Sequence, residues 1–379
     1  MTLYAAFLLA GIATTMLGPL MPALQARWNI ADSRAGLLFT AQFLASVCIA
    51  ALVGPLARRF GYGKLIRFGL LLVALGVAGC AMCPWSLALP CVAVYGCGLG
   101  LIIPAGNLGI AAVYPGASTR PVMTLNLCWC IGAVAAPILI ATLPATFLWL
   151  QALVALVLAM LSSAGPWRAT CSVYRKPARQ ANAPHLLTAI LLFLYVGVEN
   201  SIAGWVALLT LRNPGRQSLW AVMPSAFWAG MLAGRSVTPA LLAILRSRMI
   251  VIGGLLFAFA GAAYLIASSG SKWSIAAGAL SGFGLAPVFP LVVAQYTEAV
   301  AVGSASGLIF SAAGLGGAAL PALVGFLSQS SGSLRTGMSV VLFSLLAITC
   351  LQVWQVYPKR KAFTRAEGDP SGSVSCDEK

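Results

Sequence analysis

Charge is what this sequence has least of. Only 8% of its 379 residues are charged, against about 25% in a soluble domain, so a water-facing fold of this length is excluded. Acids are scarcest: there are seven Asp and Glu, and a single histidine, His185. A metal centre wants several Cys, His or carboxylate ligands, and hydrolysis or acyl transfer wants a nucleophile with a base. One histidine and one deep acid supply neither, so neither an enzyme nor a metal or cofactor site is expected. The ten cysteines leave this unchanged. "CAMC" (Cys80 to Cys83) and "CWC" (Cys128 to Cys130) are close pairs, yet eight of the ten lie in or beside apolar runs, where cysteine packs as a small hydrophobe. A basic helix with interleaved aromatics, which would grip a phosphate backbone, is also missing. The net charge of +16 therefore does not point to nucleic acid.

What the chain has instead is length in hydrocarbon. It is 60% hydrophobic with a mean hydropathy of +0.94, and it repeats apolar runs of about 20 residues, the span of a bilayer. A β-barrel would alternate over segments of about ten residues; these runs are continuous. The fold class expected is an all-α membrane protein. Twelve helices are read near 3–25, 34–57, 64–83, 85–113, 120–142, 146–165, 184–210, 219–244, 249–269, 272–297, 304–328 and 336–357. The first has no basic leader and is too long for a signal-peptide core, so it is read as a span. A polar connection divides the series into two six-helix bundles, giving units 1–165, 166–183 (linker), 184–357 and 358–379 (a disordered cytoplasmic tail). Loop bases set the orientation: with the N-terminus inside, 17 of the 23 Lys and Arg fall on the cytoplasmic side, which places both termini there.

An offset of 184 residues relates the halves. Gly98, Gly100 and Leu101 fall on Gly282, Gly284 and Leu285; Gly132, Ala135 and Pro137 fall on Gly316, Ala319 and Pro321. Duplicated halves about an axis along the membrane normal, with a midplane site between them, is a transporter architecture. "APVFP" (Ala286 to Pro290) is the strongest candidate bend.

The connection after the second helix, "GPLARRFGYGK" (Gly54 to Lys64), resembles the loop signature of the major facilitator superfamily at Gly54, Arg59, Gly61 and Lys64. Arg58 stands where the family has an acid that latches one access state, and Gly63 where it has the first of two closing bases. "YVGVENSIAGW", "FWAGMLAGR" (Phe227 to Arg235) and "GFGLAPVFP" resemble the fucose-permease-like branch. The resemblance implies a major facilitator fold in two pseudo-symmetric bundles, proton- or sodium-coupled symport of sugars, and a monomer in a bacterial inner membrane. That branch couples protons through acids on its first and fourth helices. This chain has none there, only groups such as Thr14, Thr15 and Asn107.

The one deep acid is Glu199, in "FLYVGVENSIAGW". A charged carboxylate at the helix centre costs roughly 2.5–3.5 kcal/mol on insertion scales, and desolvation favours its protonated form. A carboxyl that takes and releases a proton as access changes sides is what a proton-coupled carrier needs. Two structural readings stand beside it: an intramembrane tether to Arg235 on the eighth helix, and a carboxyl capped by backbone near Gly197 or Gly204. Tyr195 shares the Glu199 face. Asn200, Gln42, Asn126, Trp129 and Gln295 are candidate substrate contacts, amides for hydroxyls and an indole for a ring face, each equally able to bridge helices. Trp205 is read as a possible outer-belt aromatic and His185 as interfacial. The function expected is secondary active transport of a sugar or related polar solute with H+. The competing readings are efflux of drugs, lipophilic cations or organic acids, and, outside carriers, a channel or sensor.

Overall fold

A computed structural model describes residues 2–114, 119–162, 183–268, 273–299 and 305–354. The side chains of 119, 183–185, 297–299 and 305–308 are also outside the description, as are the expected linker up to residue 182 and the tail 358–379. The reading of His185 falls there too.

Fifteen helices appear in order: α1 (Thr2–Thr15), α2 (Leu17–Trp28), α3 (Asp32–Ala50), α4 (Val53–Phe60), α5 (Tyr62–Met82), α6 (Trp85–Val113), α7 (Thr119–Thr142), α8 (Phe147–Leu161), α9 (Ala183–Leu211), α10 (Val222–Leu242), α11 (Ser247–Ala267), α12 (Ser274–Leu285), α13 (Val288–Ala299), α14 (Ala305–Ser331) and α15 (Leu334–Trp354). They fill the twelve expected places, three of them by a broken pair: α1 with α2, α3 with α4, and α12 with α13. Among the described residues nine spans are long and apolar enough to cross a membrane, and the α1–α2 pair, bent by 49°, makes a tenth. The short α8 and the Arg235-bearing α10 complete the series.

The three breaks share a cause. A proline ring clashes with the carbonyl four residues earlier and removes a hydrogen bond. Pro19, Pro55 and Pro290 each occupy the third position of the second helix, and each interruption lies about four residues before, at Thr15–Met16, Ala51–Leu52 and Ala286–Pro287. Thr14 and Thr15 also return their hydroxyls to the carbonyls of Ala10 (2.7 Å) and Gly11 (3.0 Å), a habit that bends helices. Proline alone is insufficient: Pro90, Pro104, Pro137, Pro239 and Pro321 lie inside continuous helices.

Within the first half α6 packs on α5 and α3, and α1 on α7; within the second, α14 packs on α9 and α12 on α10 and α11. The halves meet where α3 packs on α14, α2 on α9 and α7 on α10. Part of the internal repeat survives in the packing. A Cβ on Gly132 would lie 2.1 Å from the Leu8 carbonyl oxygen, and one on Gly316 would lie 1.8 Å from that of Phe193, the same close approach in each half. Gly98 and Gly282 differ: the first abuts Gly69 on α5, the second Phe227 on α10. Gly316→Val should therefore lower the melting temperature of the purified protein sharply, since overpacking costs about 1–3 kcal/mol and backbone cannot yield as a side chain does. An unchanged melt would contradict this close approach.

Candidate functional site

Glu199 lies mid-way along α9 and is 9% exposed. It makes no side-chain hydrogen bond among the described residues, so the backbone-capped reading is not realised, and no ion pair joins it to Arg235. The groups facing it are the Tyr195 hydroxyl one turn earlier, Arg235 from α10, and the Cys130 thiol from α7. Arg235 donates from Nη1 to Cys130 Sγ at 3.4 Å. The Tyr195 hydroxyl sits beside both charges but outside hydrogen-bond geometry to either. Trp129 and Trp228 meet edge to face at 5.5 Å and 83°, Tyr195 packs on Phe289 at 5.7 Å, and Phe227 on Trp228 at 5.2 Å. The Trp129 indole N–H is buried without an acceptor. One acid, one base, a tyrosine and a thiol thus converge from α7, α9 and α10, helices of both halves, with Phe289 of α13 against the tyrosine.

The halves are sealed on one side of this cluster. Asp32 opens α3 and is 7% exposed. It accepts from both Arg212 guanidinium nitrogens at 2.7 Å, from Gln25 Nε2 at 2.7 Å and from Ser328 Oγ at 2.5 Å. Beside it Ser33 donates to Gln329. Below it Gly36 abuts Ala322, Thr40 donates to the Ala318 carbonyl at 2.8 Å, and Phe43 and Val47 cover Gly317 and Gly314. Trp205 is fully buried in the same seam, its indole N–H donating to the Pro321 carbonyl at 3.0 Å, so it is no belt residue. Towards the other end α4 packs on α5 and α6, and α13 on α9, α11 and α12, each within its own half. Among the described residues the halves join at the Asp32 end, and α4 and α13 pack within their own halves at the other.

A sequence profile described as Major Facilitator Superfamily matches residues 3–301. The chain belongs to this superfamily. It is 29% identical over 176 residues to the major facilitator superfamily domain-containing protein 4A of Xenopus tropicalis. That stretch is 45% of this chain and 35% of that protein, so the match spans about a third of the curated relative. Solved structures similar in fold include the xylose transporter XylE from E. coli, inward open (TM-score 0.76, 12% identity, 96% of each chain). The E. coli fucose:proton symporter FucP (0.60, 17%, 94% of this chain and 98% of that) and the nucleoside transporter NupG (0.73, 12%, 93% and 98%) are others. This chain is accordingly a multi-pass membrane protein of that superfamily.

In this facilitator the signature loop forms α4 and the turn into α5. Gly61 takes φ +82°, a backbone region where a side chain is disfavoured. Arg59 lies over the Phe60 ring at 5.2 Å, and Lys64 edges an apolar groove of about 310 Å³ with Phe60, Phe68 and Leu101. The only ion pair among the described residues is Asp32–Arg212, at the opposite end from this loop, so no acid latches Arg58 or Arg59 here.

The amides are widely placed. Gln42 is buried and engaged at both ends, donating to the Thr14 carbonyl (3.0 Å) and accepting from Tyr95 (3.0 Å). Asn126 is exposed and donates to Asn107 and to the Val122 carbonyl. Asn200 donates to the Val196 carbonyl at 2.8 Å, and Gln295 to Ser247 at 3.4 Å. Tyr195 is thus the candidate grouped with Glu199, while Trp129 packs on Trp228 beside the Cys130 position. The Cys130 contact and the Asp32 hub were missed; only their position at membrane depth or at a helix start marked them.

Proposed function

We propose that the chain is a secondary active transporter that moves a small polar solute by alternating access, with Glu199 as the proton-carrying group. The observation that carries this is a buried carboxyl at membrane depth, between the halves, with Tyr195 and Arg235 facing it and, among the described residues, no base within ion-pair distance. An intramembrane acid in such a place faces a water-filled path or the bundle interior and belongs to a proton or ion pathway. The sugar and nucleoside carriers of like fold support a polar, hydroxyl-bearing solute. With the Arg58, Arg59 and Lys64 end in the cytoplasm, as the loop bases favour, the halves part inward and the Asp32 hub is the outer seal. Units 1–165 and 184–357 are then the two bodies that rock.

Proteoliposomes test this with radiolabelled xylose, fucose, uridine and gluconate. Saturable counterflow of at least one solute is expected, with uptake driven by an inward proton gradient and abolished by a protonophore. Unsaturable flux would indicate a channel instead. Accumulation that follows Na+ and ignores pH would remove the proton role from Glu199.

A further inference from the structure

The groups left unused around Glu199 share one chemistry: they are donors. Arg235 has five N–H donors and no acceptor. It spends one of them on a thiol sulfur, a weak acceptor, and has no carboxylate within ion-pair distance. The Trp129 indole N–H and the Tyr195 hydroxyl are buried without a partner. Of the candidate amides, Gln42 is engaged at both ends, and Asn126 is exposed and donates to Asn107 and the Val122 carbonyl. A guanidinium at membrane depth with no carboxylate in ion-pair distance, facing the buried Tyr195 hydroxyl, is complementary to a ligand that brings acceptors and a negative charge.

We propose that the solute is a small organic anion bearing one carboxylate, held by Arg235 and carried together with the proton on Glu199. This deepens the proposed function and rests on it. Arg and carboxylate form the strongest bidentate pairs available to side chains, and the aromatic wall of Trp129, Trp228 and Phe289 receives the body of the molecule. The coupling follows from charge. Protonated Glu199 leaves the site with the single positive charge of Arg235, and the anion binds. Once Glu199 ionises, its carboxylate competes for the same guanidinium and the anion leaves. The titratable and charged groups that face Glu199 in this exchange are Tyr195 on its own helix, Arg235 on α10 and Cys130 on α7.

Paired isosteres test the anion in the wild-type protein. Tryptophan fluorescence of purified protein is titrated with gluconate against glucose, and with benzoate against benzamide. At least one carboxylate should bind roughly tenfold or more tighter than its neutral twin, more so at low pH; Arg235→Lys should keep part of that preference and Arg235→Gln should erase it. In proteoliposomes, an anion and a proton moving together carry no net charge. A pH gradient should therefore drive gluconate accumulation, while a valinomycin potassium potential leaves it unchanged. Equal binding within both pairs, or binding of neutral twins alone, overturns the inference. Saturable, potential-driven xylose or fucose uptake with no carboxylate exchange also overturns it and leaves the proton-coupled carrier standing. Absence of counterflow with every probe overturns the carrier reading itself.

Discussion

Glu199→Gln is expected to abolish proton-driven accumulation while solute exchange continues. Glutamine keeps the shape of a protonated carboxyl and its capacity to donate, but holds no exchangeable charge. One proton moved per solute across a one-unit pH difference sustains a concentration ratio of about ten, since one pH unit is worth about 1.36 kcal/mol. Without the proton site that ratio should fall to about one, while counterflow, which needs only alternating access, persists. No base lies within ion-pair distance of the side chain among the described residues, and glutamine can still meet the Tyr195 hydroxyl, so folding is spared and the melting temperature should hold. A variant that still concentrates its solute tenfold would place the coupling elsewhere. One that lost exchange and stability together would make Glu199 a structural tether.

Asp32→Ala should have the second large effect, on the balance between access states. The carboxylate gathers a guanidinium, an amide and a hydroxyl from α2, from the end of α9 and from α14, so it stabilises only the state in which those ends meet. Hydrogen bonds to charged groups are worth roughly 1.5–3 kcal/mol. The Arg212 side chain is 44% exposed, so solvent screening takes the low end of that range. About 2 kcal/mol of differential stabilisation is a factor of roughly 30 in the ratio of states. Spin labels on the exposed neighbours Ala26 and Ser330 should report a lengthened distance in the variant. Arg212→Gln should act in the same direction, and the double variant should add little to either, as expected of residues in one network. Unchanged distances in both single variants would mean that the α3–α14 packing alone holds this end shut.

The spans were legible because a bilayer imposes one length on every crossing and the sequence obeys it. Trp85–Val113 was read to the residue, and most other ends fall within a few residues. Glu199 was legible for the same reason: a lone acid in a long apolar run stands out. Asp32 did not, because its meaning lies in partners 180 and 296 positions away. From sequence it was one more polar residue in a short connection. Trp205 looked like an interfacial aromatic because belts and buried seams use the same residue, and only the Pro321 carbonyl distinguishes them. The amides are the most instructive case. Hydropathy marks Gln42 as costly at membrane depth but not whether the cost is offset by ligand or by protein. Here Tyr95 and Thr14 supply the answer.

The three proline interruptions carry a last consequence. None recurs across the 184-residue repeat: Pro19 corresponds to Ala203, Pro55 to Pro239 and Pro290 to Gly106, all inside unbroken helices. The joints fall on the first, second and tenth rods only, two on one side of the pseudo-axis and one on the other. The duplicated gene product is thus a lopsided lever. Its two arms flex at different heights, and its outward and inward strokes need not retrace mirror-image paths.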